Sequence, residues 1–417
     1  MLFRKIMNST EESEPIEPSD NRWYTNFLNI GGNTTSGEYI NPQNAFSNIG
    51  IIFQCIVIRA NAISKLPLQL YKEDANGKHK DKSHNIWYLI EKRPNRYQTP
   101  SQFKSFIEVS RCLWGNAFIK MEFDRKGNVI ALLPLDPSKM KMDKLNGNYY
   151  YIYTNDNGEV ETFIEEELIH IPYISLDGKI GKSPMEVARE QAGNLQAITK
   201  FEGGFYKNGA MNTGVIEAPA QLSKESKTKI KNEWQSLYGG SANAGSVAVL
   251  DAGFGYKQLN LPMKDIEFIA SRKMNKTEIA TIFDVPLYML NEGQGDKLGT
   301  VEQQNLRFLN DVLQSTLTIT EEEFNYKVFT YKDSKSYYVK FNLNAMLRAD
   351  SKTRAEYYKT MQQNGNLNIN EVRDLEDMNS IGELGDKYYM SLNFTTVDTI
   401  EDHERIKKGE TDNAKEE

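Results

Sequence analysis

The chain has little of what builds disulfides, metal sites or membrane spans. Among its 417 residues are two cysteines, Cys55 and Cys112. Both fall in apolar helical patterns and neither belongs to a Cys-x-x-Cys pair, so the pattern fits buried free thiols in a reducing compartment, not a disulfide framework. The four histidines are His79, His84, His170 and His403; no two stand three or four apart, so no helical zinc motif forms and no metal is expected. His170 sits in the apolar run LIHIPYI and reads as a core or hydrogen-bonded histidine. No apolar run approaches the ~18 residues of a membrane span. The opening MLFRKIMNSTEESEP lacks the apolar stretch of a secretory signal, so the expectation is a soluble cytoplasmic product with no membrane partner. Excess positive charge is missing too: 50 Lys+Arg stand against 57 Asp+Glu, a formal net charge of −7. A protein that grips duplex DNA by its phosphates presents a basic face. An acidic chain that handles DNA would guide it instead of holding it.

Catalytic signatures are equally sparse. Gly178-Lys179-Ile180-Gly181-Lys182-Ser183 imitates a phosphate-binding loop, but G-x-x-x-x-G-K-[ST] places its first glycine at position 176, which is Leu176. Pro184 follows directly, where such a loop's helix would offer backbone N–H groups to phosphate, and proline has none. A polar turn into a capped helix accounts for every residue of the run. Gly253-Phe254-Gly255 is too short for a dinucleotide loop, and no G-x-S-x-G elbow occurs. Glu165-Glu166-Glu167 reads as a solvated turn before a strand. These residues give no catalytic site and no cofactor.

What is present is a mixed pattern of helices and hairpins. Residues 1–43 begin with an acidic stretch at positions 11–20 and a glycine-rich Gly31–Thr35, which together suggest a mobile arm. Helical spacing runs from Asn44 to Ser64 through Ala45, Ile49, Ile52, Ile56, Ala60 and Ile63. Thr99-Pro100 opens a second helix that Gly115 ends. AFIKMEF and VIALLPL read as one hairpin, and NYYYIYT with VETF as another. Ser183-Pro184 caps a long helix extending to about residue 206, and another helix covers about 263–283. Between them lies a glycine-rich module with short strands and one helix. A polar loop NEGQGDKLGT precedes a long helix starting near Val301, then the strand YYVKFNL and helices at Ser351–Asn364 and from Glu371. The fold class is α+β. The polar end DHERIKKGETDNAKEE reads as disordered.

Several blocks resemble, in order, the portal family of long-tailed bacteriophages: ISKLPLQLYKED; NRYQTPSQFKSFIEVSRCLWGNAFIKMEFDRKGNVIALLPLDPSKM with its aromatic-Gly-Asn-Ala turn; ELIHIPYISLDGKIGKSPMEVARE with its histidine strand and Gly-x-Ser-Pro turn; FYKNGAMNTGVIEAP; AGSVAVLDAGFGYKQLNLPMKDIEFIASRKMNKTEIATIFDVPLYML; and GNLNINEVRDLEDM. The likeness runs from about Asn44 to Asn393. It implies a structural head–tail connector, not an enzyme: a homo-oligomeric ring, usually of twelve subunits, at one capsid vertex of a virion assembled in the bacterial cytoplasm. The terminase large subunit drives double-stranded DNA through this ring, without sequence specificity. The major capsid protein and a head–tail adaptor are its other partners. On that template residues 1–43 are an arm, 44–183 an α/β wing, 184–208 and 263–285 the two stem helices, and 209–262 a small α/β clip. Residues 286–300 hold the tunnel loop, 301–365 return to the wing, and 366–417 give a short crown and tail. The resemblance places Asn291, Glu292, Gly293, Gln294, Gly295, Asp296, Lys297, Leu298, Gly299 and Thr300 against DNA. The alternatives for these residues are a scaffolding or other capsid assembly protein, suggested by the acidic ends, and a DNA-dependent ATPase, suggested by GKIGKS.

Overall fold

The fold begins with a helix that cannot stay straight. Asn41 and Asn44 cap each other reciprocally, Asn41 Oδ1 accepting from Asn44 N at 2.7 Å and Asn44 Oδ1 from Asn41 N at 2.8 Å, with Pro42 at the first helical position. This starts helix α1 (Pro42–Asn48); Ile49 then leaves helical geometry (φ −112, ψ 96) and Gly50 restarts the chain as α2 (Gly50–Ser64). The single periodic run of the sequence is therefore two helices, bent by 97°. Sequence spacing cannot see the break, because both halves bury the same residue types. In the computed structural model the described residues are 24–26, 30–75, 77–145, 148–207, 214–238, 250, 253–258, 268–291, 304, 307–343, 351–376 and 378–389.

After α2 come strands β4 (Leu68–Asp74) and β5 (Gly77–Lys80), helix α3 (Asn85–Glu91) and helix α4 (Pro100–Trp114). Thr99 and Gln102 form a capping box on α4, and Gly115 ends it at φ +74, as Thr-Pro and Gly imply. Both expected hairpins form: β6 (Asn116–Phe123) with β7 (Val129–Leu135), and β9 (Asn148–Thr154) with β10 (Val160–Ile164). Strand β8 (Met140–Leu145) pairs with β9, and β11 (Leu168–Pro172) with β6. Ahead of all these lie β1 (Tyr24–Asn26), on the free edge of β8, and the small pair β2 (Gly32–Asn33) and β3 (Tyr39–Ile40). The sheets are thus β1-β8-β9-β10, β11-β6-β7 and β16-β4-β5, where β16 is Tyr337–Phe341. The expected mobile arm of 1–43 needs correction in its described part. Residues 24–26 join a sheet, and 34–38 tie to a helix far along the chain, Thr35 N and Oγ1 both donating to Glu190 and Lys200 pairing with Glu38.

The next segment opens with β12 (Ile174–Ser175), β13 (Gly181–Lys182), helix α5 (Pro184–Val187) and helix α6 (Arg189–Lys207), so the expected long helix is interrupted at Ala188. Strand β14 (Gly214–Glu217), helix α7 (Lys224–Tyr238) and strand β15 (Gly255–Gln258) follow. Helix α8 (Phe268–Ile282) ends within a residue of the expected 283. A 3-10 turn then covers Leu287–Leu290, and a π turn at Phe308–Leu313 leads into helix α9 (Gln314–Lys327). One core cluster gathers Ile52 and Ile56 from α2, Leu113 from α4, Ala192 from α6, and Ile279 with Phe283 from the end of α8. A second gathers Phe118, Met140, Met142, Tyr151, Phe163 and Leu168 from the sheets. Among the described residues no single helix is long and apolar enough to cross a membrane; the bent pair α1–α2 passes on length and composition alone, and α2 is core.

The chain divides into two units, Met1–Asn342 and Leu343–Glu417. The second holds helices α10 (Ser351–Gln363) and α11 (Ile369–Leu375), the latter capped by Asn368 and Glu371. Arg354 and Tyr358 both reach Glu376, at 3.0 and 2.8 Å, and close this small unit.

Candidate functional site

The residues expected to face DNA are rooted where α8 ends. Helix α8 closes with Val285 N donating to Ala280 O at 2.9 Å and Asp284 in the left-handed conformation at φ +51. The Leu287–Leu290 turn ends at Asn291, also left-handed (φ +57) and exposed. Of the ten loop positions singled out in the sequence, Asn291 is described; Glu292 to Thr300 lie outside the described residues. The described residues on the two sides of the loop, Asp284–Tyr288 on one and Gln304, Arg307, Phe308, Asp311 and Val312 on the other, line an open groove of about 620 Å³. Both sides are irregular, Asp284 being left-handed and Phe308–Leu313 a π turn, and each kind of irregularity is frequent at functional sites.

Below the first root lies a buried charge cluster that sequence reasoning missed. Arg59 from α2 and Glu108 and Arg111 from α4 are 1%, 1% and 2% exposed. Arg59 Nε donates to Glu108 Oε1 and Arg111 Nη1 to Glu108 Oε2, each at 2.8 Å. Arg59 Nη1 also donates to Phe283 O at 2.9 Å, and Arg111 donates through Nε and Nη2 to Pro172 O at 3.2 Å. Both guanidiniums lie over the Tyr173 ring, at 5.6 and 5.3 Å. Burial alone would raise the Glu108 pKa; the charges of Arg59 and Arg111 outweigh it and hold the carboxyl below its usual range. Burial pushes the Cys55 thiol up to about 12 and Cys112 higher still, so both expected free thiols are inert core residues. The only sequence signal for this cluster was charge at positions the apolar spacing turns inward: Arg59 between Ile56 and Ala60, Glu108 beside Ile107.

The blocks that carry the family resemblance meet nearby. Gly115 and Gly181 lie back to back: a Cβ on Gly181 would stand 1.9 Å from Gly115 O, and one on Gly115 would stand 2.3 Å from Gly181 O. Buried Asn116 binds this contact from the side, accepting from Gly181 N at 2.8 Å while its Nδ2 donates to Gly181 O at 3.1 Å and Trp114 O at 3.0 Å. Its oxygen therefore also accepts from His170 Nε2 at 2.9 Å, which leaves Nδ1 to accept from the Tyr151 hydroxyl at 3.3 Å. Burial, with Lys179 and Lys327 adding to it, pushes the His170 pKa down to about 3, so this core histidine stays neutral. The GKIGKS run is used up structurally. Asp177 Oδ1 accepts from the amides of Lys179 and Ile180, Lys182 pairs with Glu186, and Ser183 Oγ donates to Leu113 O at 2.7 Å while capping α5. Among the described residues no cluster of histidine, cysteine and carboxylate groups could hold a metal ion.

Away from this core the chain changes character. Arg272 and Glu202 join α8 to α6 at 2.9 Å. The module between these helices pairs β14 with β15 antiparallel and stacks Trp234 of α7 on Tyr256 at 5.2 Å. Lys224, Lys227 and Lys231 stay exposed on α7 while Ile230 and Trp234 are half-buried. Among the described residues from Gln196 to Met274, none is buried.

Comparison with known proteins shows the family of this chain. The model of the family described as "Phage portal protein" matches residues 51–377. The portal protein of Enterobacteria phage HK97 is 28% identical over 335 residues, covering 79% of this chain and 78% of the relative. The probable portal protein of Streptomyces phage phiC31 is 29% identical over 397 residues, covering 92% and 85%. A chain from the neck of an empty GTA (gene transfer agent) particle, computed with C6 symmetry, superposes with a TM-score of 0.58 at 20% identity, covering 90% of this chain and 98% of its own. The fold is that of this neck chain. By the span of the family match and the order of its blocks, the chain belongs to the phage portal protein family.

Proposed function

We propose that this portal subunit assembles into a closed ring, of twelve copies, at one vertex of a virion capsid put together in the bacterial cytoplasm. DNA packaged by a terminase enters through the ring and leaves by the same route. The observation that carries this reading is the likeness to portal proteins along nearly the whole chain, 92% of it against the phiC31 relative. The GTA neck was computed with C6 symmetry, which a twelve-subunit ring also obeys. Residues 44–183 and 301–365 serve as the wing, 184–208 and 263–285 as the stem, 209–262 as the clip, and 366–417 as a short crown and tail. The clip meets terminase first and a head–tail adaptor later, while the wing abuts the major capsid protein. The loop from Asn291 to Thr300 faces the duplex. Its sequence suits that role: Gly293, Gly295 and Gly299 allow conformational freedom, Glu292 and Asp296 repel phosphate, and Lys297 offers a brief contact. The work on DNA is mechanical, and ATP hydrolysis belongs to the terminase, not to this chain.

Electron micrographs and mass measurement of the purified 47.8 kDa chain test the ring. The expected result is annular particles of roughly twelve subunit masses. Monomers alone at high concentration, also with the capsid protein coexpressed, would sink it. Deleting Gly293–Gly299 should leave rings intact and reduce DNA-filled heads, and Lys297→Cys should crosslink to packaged DNA. An unchanged yield of filled heads removes the loop from the mechanism.

A further inference from the structure

Among the described residues the backbone is left-handed at two non-glycine positions, Asp284 and Asn291, and both lie between the end of α8 and residue 292. Glycine or asparagine is the usual occupant of a left-handed site after a helix. Aspartate there adds steric cost and sets a carboxylate at the negative end of the helix dipole. An outside contact holds this turn. The Phe283 carbonyl, one residue earlier, receives Nη1 of the buried Arg59. Arg59 is neutralised by Glu108, and Glu108 is gripped from its other side by Arg111. The two arginines are alike in burial and in their shared carboxylate. They differ in the carbonyl they hold: Arg59 reaches Phe283, just past the end of α8, and Arg111 reaches Pro172 on β11. An apolar trio of equal volume would serve folding about as well as a buried ion cluster. What it would not supply is a cationic donor for a helix-end carbonyl.

We propose that Arg59 is a positioning residue for the loop after Asn291, its guanidinium fixing the end of α8 and so the place where the chain turns toward residue 292. The proposal rests on the reading of that loop as DNA-facing. Glu108 serves as the counter-charge that lets Arg59 stay buried, and Arg111 as the brace that holds Glu108.

Hydrogen–deuterium exchange on the full chain, comparing Arg59→Lys with Arg111→Lys, tests it. Lysine keeps the charge opposite Glu108 but lacks the fork that reaches two acceptors. Arg59→Lys should speed exchange of the amides from Asp284 to Asn291 by roughly tenfold and leave Leu168–Ser175 within about twofold. Arg111→Lys should do the reverse. No change at 284–291 in Arg59→Lys overturns the proposal, as does equal loosening of both segments by either variant. Should Arg59→Lys fail to fold, Arg59→Met removes the donor to Phe283 and leaves the buried Glu108–Arg111 ion pair intact, and the same comparison decides. Counting DNA-filled heads separates this proposal from the reading beneath it. Faster exchange with normal heads leaves Arg59 in place and removes the loop's role. Unchanged exchange rejects Arg59 whatever the heads show.

Discussion

Between Gly50 and Pro172 the chain buries helix faces, strand faces and even a charge cluster; among the described residues between Gly214 and Gln258 it buries nothing. Both stretches are mixed α and β, and both have amphipathic elements. What separates them is the number of layers. Helix α4 packs against α2 on one side and against β6 on another, so its inward residues leave water whether apolar or charged. Among the described residues helix α7 has one two-stranded ladder against it, and a pair of strands with one helix cannot enclose a core. The first region closes a core together with α6 and the end of α8. The second is a surface in search of neighbours, as suits the proposed clip, whose partners would be other copies in the ring, terminase and adaptor.

The sharpest way to break this contrast is to disturb the buried region. Glu108→Ala strands two guanidiniums in the core, and urea unfolding should report a loss of about 3–5 kcal/mol. A loss under 1 kcal/mol would mean that water reaches the cluster and that the region is not closed. Next comes the glycine contact. Gly181→Ala drives a Cβ into the Gly115 carbonyl, and the backbone must shift at a cost of roughly 3 kcal/mol, read by the same unfolding curve. Gly203→Ala, in α6 where the added Cβ meets nothing within 4 Å, is the matched control and should be neutral or stabilising.

A pH series sharpens the comparison further. Folded His170 titrates near 3, whereas an unfolded histidine titrates near 6.5. The unfolded chain takes up this proton first. The contribution of His170 is therefore complete above about pH 6.5 and is lost as pH falls from there toward 3, at about 1.4 kcal/mol per unit. Urea midpoints at pH 7.5 and 5.5 should differ in the wild type and converge in His170→Gln; parallel behaviour of the two proteins would remove His170 from the explanation. The smallest effect belongs to the exposed module. Trp234→Ala should open the 214–258 segment to trypsin while changing the main unfolding transition by less than about 0.5 kcal/mol. A large shift there would show that the module shares the core's stability, and the contrast would collapse.

The legible part of the molecule followed from local chemistry. Thr99-Pro100 and Gly115 set the limits of α4, because a cap, a fixed φ and a left-handed stop act within a few residues. The two hairpins and the Ser183-Pro184 helix start were readable for the same reason. The break at Ile49 was not, since either a straight or a bent path would bury the same isoleucines. The order of Trp114-Gly115-Asn116 and Gly181-Lys182-Ser183 along the chain was visible, but not that the two segments touch.

By itself, then, the sequence determined the α+β class, the limits of α4, the capped start at Ser183-Pro184 and the spoiled phosphate loop. Each of these rests on neighbours a few residues apart. Tertiary structure alone decided that Arg59 joins Glu108 and Arg111 in one buried site and that it holds a carbonyl 224 residues along the chain, on Phe283. Glu108 and Arg111 stand three apart on α4, but Arg59 has no sequence-local partner. Its desolvation can be offset only by groups that folding brings together, and which groups those are is a property of the packed chain.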